Sequence, residues 1–154
     1  PERIIGNGRI LRYDTTGEQA AFTLRYCDLG HNGGLCAALP GSRFLINTKH
    51  GPFSVAANRP PCAGRHHLVG VYDGSTVCLY INGELVGRQP ASGRICASDA
   101  DLRLGEADEG TGRIIGEIEQ VYIAHMAHDA MWVKRRYDRQ SQITIKDLSE
   151  AGGA

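Results

Sequence analysis

The amino-acid sequence predicts an all-β domain, a sandwich of two antiparallel sheets with one short C-terminal helix. Glycine is abundant at 20 of 154 residues, and turn dipeptides recur about every ten residues, which is typical of short strands joined by tight turns. Residues 77–82 alternate between the two faces of a strand, with Val77, Leu79 and Ile81 on one face. The dipeptide Asn82-Gly83 follows and is the strongest short hairpin signal that a sequence offers.

Five candidate strands, separated by turn-forming residues, precede the proline pair at 60–61. They lie within 4–13, 20–27, 35–39, 43–47 and 53–57. The first is interrupted by Gly6-Asn7-Gly8. The last is closed by Arg59-Pro60-Pro61, because proline cannot donate a hydrogen bond to a central ladder.

The second half of the chain predicts a meander followed by a helix. Strands are expected at 68–72, 77–82, from 85 onward, 102–104, 114–124 and, as a last edge strand, 143–145. Asp73-Gly74-Ser75 predicts a turn, since Asp and Gly tolerate the left-handed backbone that a tight reversal needs. Ala130, Val133 and Tyr137 recur at helical spacing after Asp129, which favours a helix start, so a short helix is expected over 129–137.

The meander also carries a specific motif, H-H-x-x-x-x-Y-D-G-S-x-x-x-L-Y-x-N-G. Its members are His66, His67, Tyr72, Asp73, Gly74, Ser75, Leu79, Tyr80, Asn82 and Gly83. Residues 102–105 are similar to an L-x-I-G strand end, and residues 116–123 are similar to a G-x-I-D-x-V-x-I strand. Together these motifs resemble the laminin-G-like jelly-roll domains of the concanavalin A-like lectin/glucanase superfamily.

The resemblance implies a concanavalin A-like jelly-roll β-sandwich, and its specific part covers residues 65–137. The residues before 60 match the family only loosely, around Phe22-Thr23-Leu24. The chain departs from the family pattern at two positions. Arg65 stands where the family usually has Trp, and Glu119 stands where it usually has Asp.

Length and composition predict one domain over 1–145, followed by a tail or linker over 146–154. The formal net charge is zero, so the composition shows no excess of positive charge of the kind that binds nucleic acid. No apolar run approaches the roughly 18 residues of a membrane span, so no membrane insertion is expected. The chain begins at Pro1 and is interpreted as a mature chain or an excised domain of a larger extracellular or cell-surface protein.

The sequence leaves the state of the cysteines open. There are five, at positions 27, 36, 62, 78 and 96, so at least one thiol is unpaired. One or two disulfides and a fully reduced set of small buried side chains are both compatible with the spacing. The absence of any C-x-x-C pair argues against a zinc ribbon or a thioredoxin-type site.

Glu119 is a candidate ligand for a structural calcium ion. It shares strand parity with Val121 and Ile123, and a carboxylate on an apolar face must be paired, protonated or bound to metal. The resemblance implies calcium at this position, with Asn7 or Asp14 as further oxygen ligands. The alternatives are a bulge that turns Glu119 to solvent and a salt bridge to an arginine.

The same stretch argues against glycosidase chemistry. The related β-glucanases use an E-x-D-x-x-E or E-x-D-x-E strand, and retaining hydrolysis needs two carboxyl groups about 5–5.5 Å apart. Glu117 and Glu119 are followed by Gln, Val and Tyr at 120–122, so the second catalytic carboxylate is absent. A hydrolase or lyase that takes its acids from loops, such as Glu106 and Asp108, remains an alternative.

Carbohydrate recognition needs exposed aromatic rings with a few polar groups nearby. The candidates are Tyr80 and Tyr122, expected to point away from the core, and the loop residues His31 and Asn32. Trp132 is expected to pack in the helix rather than to bind, and His66 and His67 are expected to be structural. The Lys134-Arg135-Arg136 run predicts a solvated helix face, and the functional alternative is that it binds a heparin-like ligand.

Three functions are consistent with these features. The leading hypothesis is a non-catalytic recognition module that binds carbohydrate or a protein partner as part of a larger protein. The second is a structural accessory domain that packs on a catalytic domain. The third is the polysaccharide hydrolase or lyase with loop acids, since one fold hosts many roles.

Overall fold

The computed structural model describes residues 8–13, 21–26, 42–57, 65–97, 102–105 and 117–151. Within these residues the chain forms strands and one helix. They are β1 (Gly8–Tyr13), β2 (Phe22–Tyr26), β3 (Arg43–Thr48), β4 (Gly51–Ala56), β5 (Leu68–Tyr72), β6 (Thr76–Ile81), β7 (Glu84–Pro90), β8 (Leu102–Leu104) and α1 (Ala130–Ala151).

The strands form two antiparallel sheets, as the sequence predicts. One sheet has the order β4-β3-β2-β1-β8, and the other has the order β5-β6-β7. Within each sheet, strands that follow one another in the sequence are paired neighbours, except that β8 pairs with β1. The predicted two-sheet sandwich is therefore confirmed.

The core lies between the two sheets. In β3 every second side chain is buried, including Phe44 and Ile46. They meet Val77 and Leu79, which point inward from the central strand of the smaller sheet and have no exposed surface. The alternation seen in the sequence thus places one face of β6 in the core.

Two glycines allow the sheets to approach closely on either side of Leu79. Gly70 of β5 and Gly87 of β7 both pair with Leu79 across the ladder. A Cβ on Gly70 would lie 2.4 Å from the ring of Phe44, and one on Gly87 would lie 2.4 Å from Val55 Cγ2. Side chains of the larger sheet fill these two places instead, so the inner layer interlocks around Leu79.

The two turns of the meander have the hydrogen bonds and backbone angles that the sequence predicts. Asp73 Oδ1 accepts hydrogen bonds from the backbone amides of Ser75 and Thr76, at 2.8 and 2.7 Å. These bonds lower the pKa of Asp73, with the Ser75 amide as the largest cause. Asn82 and Gly83 both have positive φ angles, of 52° and 81°, as the two-residue hairpin turn requires.

The C-terminal helix is longer than the sequence predicts. It runs from Ala130 to Ala151, so the edge strand expected at 143–145 is wrong. Residues 146–151, interpreted as the start of a linker, continue the helix, while the domain boundary at 145 stays a prediction. The physical reason is that residues 138–151 contain no glycine or proline to end the helix before Gly152.

The strand expected at 114–124 is also wrong over its described part. Residues 117–124 join no ladder and are exposed. Their side chains contact helix α1 and Arg65, so the segment is held by side chains rather than by strand pairing. Residues 114–116 lie outside the described part of the chain.

Several other expectations fall on residues that the structure does not describe. These are the strand at 35–39 and the cysteines at 27, 36 and 62. Cys78 and Cys96 are described, and both are free thiols. Among the described residues, no helix combines the length and the apolar character needed to cross a membrane.

Candidate functional site

The segment 117–124 lies beside helix α1 and brings two of its side chains to the helix. Tyr122 contacts the rings of His128 and Trp132, with centroids 6.2 and 5.5 Å away. Gln120 accepts a hydrogen bond from Gln140, further along the helix. Gln120 and Tyr122 therefore both face α1.

An aromatic cluster forms where the segment meets the start of the helix. His128 stacks on Trp132 with ring centroids 3.8 Å apart and planes inclined by 6°. The Tyr122 hydroxyl lies 3.4 Å from His128 Nε2. Because His128 covers one face of Trp132, Tyr122 is the ring of this cluster that faces solvent, with 53% of its surface exposed.

Helix α1 aligns the cluster by its periodicity. Asp129 Oδ1 accepts a hydrogen bond from the Trp132 amide at 2.7 Å, which is the N-cap that the sequence predicts. Trp132, Arg136 and Gln140 lie within the helix at intervals of four residues, and His128 directly precedes the cap. Residues four apart lie on the same helix face, so the spacing places the three helical side chains in one row, and His128 stacks on the first of them.

A guanidinium group lies against the aromatic rings. Arg136 Cζ is 4.6 Å from the centroid of Tyr122 and 5.4 Å from that of Trp132, within the range of a cation–π contact. Its Nη2 lies 3.5 Å from Gln120 Oε1. We call the group formed by Gln120, Tyr122, His128, Trp132 and Arg136 the Tyr122 surface.

Exposed apolar side chains are frequent in the same stretch of the chain. Between residues 117 and 131 they are Ile118, Val121, Ile123, Met126 and Met131. A concentration of exposed apolar groups is typical of interaction sites. This end of the molecule is therefore the strongest candidate for ligand or partner binding among the described residues.

Tyr80, a predicted ligand-binding residue, is not available to a ligand. Only 6% of its surface is exposed, so the expectation that it is solvent-facing is wrong. The start of α1 lies over the outer face of the β5-β6-β7 sheet, where Lys134 and Tyr137 pack against Gly83. Burial is the largest cause of the raised pKa of Tyr80.

The remaining predicted site residues separate into two groups. Tyr122 is exposed and belongs to the Tyr122 surface. His31 and Asn32, predicted to bind ligand, and Asn7 and Asp14, predicted to bind metal, all lie outside the described residues. Their roles stay predictions.

Glu119 forms an ion pair with Arg65 through Nη2 and Oε2, which is one of the alternatives that the sequence leaves open. The side chain of Arg65 is 49% exposed and that of Glu119 is 35% exposed. The two positions at which the chain departs from the family pattern are thus in direct contact. A guanidinium and a metal ion compete for the same carboxylate, so the described surroundings of Glu119 do not by themselves fit calcium.

No group of three or more His, Cys, Asp and Glu side chains within the described ranges could hold a metal ion. The exposed carboxylates of Glu117 and Glu119 lie in the same extended segment, and Glu119 is engaged by Arg65. The loop acids Glu106 and Asp108 lie outside the described residues. The expected lack of glycosidase activity remains a prediction.

His67 lies beneath helix α1 in a half-buried position. Its amide donates a hydrogen bond to Asn82 Oδ1 at 2.9 Å, and its ring lies 6.0 Å from the ring of Tyr137. Nδ1 is buried without a hydrogen-bond partner in the described part of the chain. Burial, followed by the positive charge of Arg136, lowers the pKa of His67 below its ordinary 6.5.

We expect the stability of the domain to fall as the pH drops below 6.5. The unfolded chain binds a proton at His67 more readily than the folded chain, because the folded pKa is lower, so protonation favours unfolding. One such group contributes a slope of at most about 1.4 kcal/mol per pH unit. Urea midpoints at pH 7.5 and 5.5 measure the loss.

His67→Gln is the matched variant for this prediction, and it should flatten the pH profile relative to wild type. His125→Gln replaces an exposed histidine and should leave the profile unchanged. An identical profile for wild type and His67→Gln would contradict the assignment.

Sequence reasoning missed Gln120 and His128 as members of the Tyr122 surface, treated Trp132 as packing only and assigned Arg136 to a basic, solvated helix face. The structure confirms that Trp132 packs, since it is half-buried against His128. The available signal was the four-residue spacing of Trp132 and Arg136 on the predicted helix. Their contact with Tyr122 required knowledge of how segment 117–124 lies.

Comparison with known proteins identifies a matching family model and similar solved structures. The family model is a laminin G-type model described as the concanavalin A-like lectin/glucanases superfamily, and it matches residues 8–134. No curated protein matches the chain. A crystal structure of an S-layer domain-containing protein from Clostridium thermocellum is 20% identical with a TM-score of 0.36. That alignment covers 86% of this chain and 64% of the other.

The family match extends over both sheets, from β1 into the first turns of α1. It agrees with the antiparallel sandwich observed and with the motifs between His66 and Gly83. The chain belongs to the concanavalin A-like lectin/glucanases superfamily, as a laminin G-like domain.

Proposed function

We propose that this domain is a non-catalytic recognition module that binds carbohydrate through the Tyr122 surface. It would act as part of a larger protein, outside the cell or at its surface. The observation that carries the proposal is the exposed ring of Tyr122, supported from behind by Trp132 and flanked by polar groups. Membership in a superfamily of lectins and glucanases supports this ligand class.

The chemistry of the Tyr122 surface suits a sugar ring. A pyranose presents an apolar face of C–H groups and an edge of hydroxyl groups, so it needs one flat apolar contact and several hydrogen-bonding groups. Tyr122 supplies the flat contact. The amide of Gln120 and the guanidinium of Arg136 lie 3.5 Å from each other beside it and supply donors and an acceptor.

The first test is a glycan array probed with the purified domain, with extracellular-matrix proteins as a parallel panel. We expect specific binding to a subset of glycans. Binding to none of the glycans would count against the proposal. Binding to a protein alone would indicate that the Tyr122 surface recognises a protein partner instead.

A protein-binding or domain-packing role is the second candidate. The exposed apolar side chains around Tyr122, such as Ile123 and Met126 at 50% and 61% exposure, favour contact with another protein or with a neighbouring domain. Replacing both residues with serine distinguishes the two roles. Loss of protein binding with unchanged glycan binding would assign these side chains to the second role.

Calcium binding at Glu119 stays a prediction, and its partner Arg65 offers a direct test. If calcium uses this carboxylate, it competes with the guanidinium, so Arg65→Gln should increase the rise in melting temperature on adding calcium. Glu119→Gln should abolish that rise. Because the ion pair is largely exposed, either variant without calcium should lose no more than about 1 kcal/mol.

The control for the calcium titration is magnesium at equal ionic strength, which separates specific binding from charge screening. An unchanged response to calcium in both variants would show that Glu119 is not a ligand.

A further inference from the structure

Arg136 is the charged group at the centre of the Tyr122 surface. Its guanidinium lies over the rings of Tyr122 and Trp132, which fixes the orientation of an otherwise flexible side chain. A planar guanidinium held against aromatic rings presents its N–H groups along its edge. The group is therefore pre-organised as a donor next to the exposed ring.

Arg136 has no carboxylate partner among the described residues. Its one polar contact there is with the neutral amide oxygen of Gln120, at 3.5 Å. The nearby acids are engaged elsewhere. Asp138 pairs with Lys134, Glu119 pairs with Arg65, and Asp129 caps the helix.

The positive charge of Arg136 also acts on His67. It contributes to the lowered pKa of His67, after burial. A guanidinium without an anionic partner, fixed beside an exposed aromatic ring, is the arrangement that an anionic ligand group completes.

We propose that the Tyr122 surface recognises an acidic sugar, with the carboxylate of a uronic acid residue bound by Arg136 and the face of its ring packed on Tyr122. The inference rests on the proposed carbohydrate-binding function and names the ligand class. The carboxylate accepts N–H hydrogen bonds from the guanidinium in place of the long contact to Gln120. Carboxylates and guanidinium groups match as planar, two-point partners.

The neighbouring cations favour a single carboxylate over a densely sulfated chain. Lys134 is paired with Asp138, and Arg135 Nη2 lies 2.9 Å from the sulfur of Met131. The five residues of the Tyr122 surface include one arginine and no lysine, so the surface itself holds one full positive charge rather than a row of them. Polyanion binding depends on several unpaired cations together.

The test compares binding of an oligogalacturonate with binding of its methyl ester, which has the same rings without the negative charges. For the wild-type domain we expect at least tenfold tighter binding of the acid. Arg136→Gln should weaken binding of the acid far more than binding of the ester, so that the preference disappears, and Arg136→Lys should give an intermediate loss. Arg139→Gln, an exposed charge change on the same helix, should keep the wild-type preference.

Equal affinity for acid and ester would overturn this inference and leave the proposed carbohydrate-binding function in place. An equal loss of preference in Arg139→Gln would overturn it as well, because the effect would then follow net charge rather than Arg136. Tighter binding of a sulfated glucan than of the oligogalacturonate would overturn the assignment to a carboxylate. Binding of no carbohydrate at all would overturn both proposals. Circular dichroism of each variant shows that the fold is retained.

Discussion

Replacing Leu79 with alanine is expected to lower the free energy of unfolding by about 2–5 kcal/mol, the range for a fully buried leucine. Leu79 has no exposed surface and lies at the centre of the β5-β6-β7 sheet. A domain of this size is stable by about 5–15 kcal/mol. The single substitution therefore removes a large fraction of the total stability.

The expected loss is large because the site cannot collapse. Gly70 and Gly87 flank Leu79 on the neighbouring strands, and each is already in close contact with Phe44 or Val55 of the opposite sheet. No flexible side chain beside Leu79 on those strands can move into the space, so a cavity persists in Leu79→Ala.

Urea denaturation followed by circular dichroism measures this effect, with Leu85→Ala as the matched control. Leu85 lies in β7 of the same sheet, but half of its surface is exposed. Leu85→Ala should therefore lower the free energy of unfolding far less than Leu79→Ala. Equal losses for the two variants would contradict the packing of Leu79 between the sheets.

Replacing Tyr122 with alanine is expected to weaken carbohydrate binding by about thirtyfold or more, equivalent to about 2 kcal/mol for an anchoring aromatic side chain. The substitution removes the most exposed ring of the aromatic cluster. The cap is formed by Asp129 and the Trp132 amide without Tyr122, so the helix and its cap should persist. Isothermal titration calorimetry measures the change in affinity.

Two variants control this experiment. Tyr122→Phe keeps the ring and loses only a hydroxyl that lies 3.4 Å from His128, so most of the affinity should remain. Met126→Ala removes an exposed apolar side chain four residues further along the chain that is not part of the Tyr122 surface. A loss of affinity in Met126→Ala as large as in Tyr122→Ala would contradict the role of the ring.

Local features of the fold could be predicted from the sequence because their causes are local. The turn at Asp73 and the hairpin at Asn82-Gly83 depend on residues that hydrogen-bond or adopt positive φ angles within a few positions. Asp129 as the helix cap is another example. The alternation in 77–82 correctly assigned Leu79 to the core.

Features that depend on distant contacts could not be predicted. The alternation along residues 77–82 predicts that Tyr80 is exposed, but Tyr80 is buried because helix α1 lies over that face of the sheet. The apolar alternation of 117–124 predicted a strand, whereas side-chain contacts with α1 hold the segment outside both sheets. The pairing of Glu119 with Arg65 joins positions 54 residues apart.

The family was identified from residues 65–137, while the family model matches from residue 8 onward. The early strands carry the register that pairs β1 with β2 and β8. Their signal in one sequence is weak, because many combinations of apolar residues satisfy the same strand. The turns of the later meander are more restrictive in residue type, which explains why the resemblance was specific there.

The most direct test of the central claim uses the intrinsic fluorescence of Trp132, the single tryptophan of the chain. Trp132 lies 5.5 Å from Tyr122, so its emission reports on ligand at the Tyr122 surface. Titration with an array-positive oligosaccharide should give a saturable change in emission for wild type that is lost in Tyr122→Ala. Binding that calorimetry detects while the emission of Trp132 stays constant would place the carbohydrate elsewhere and contradict the account.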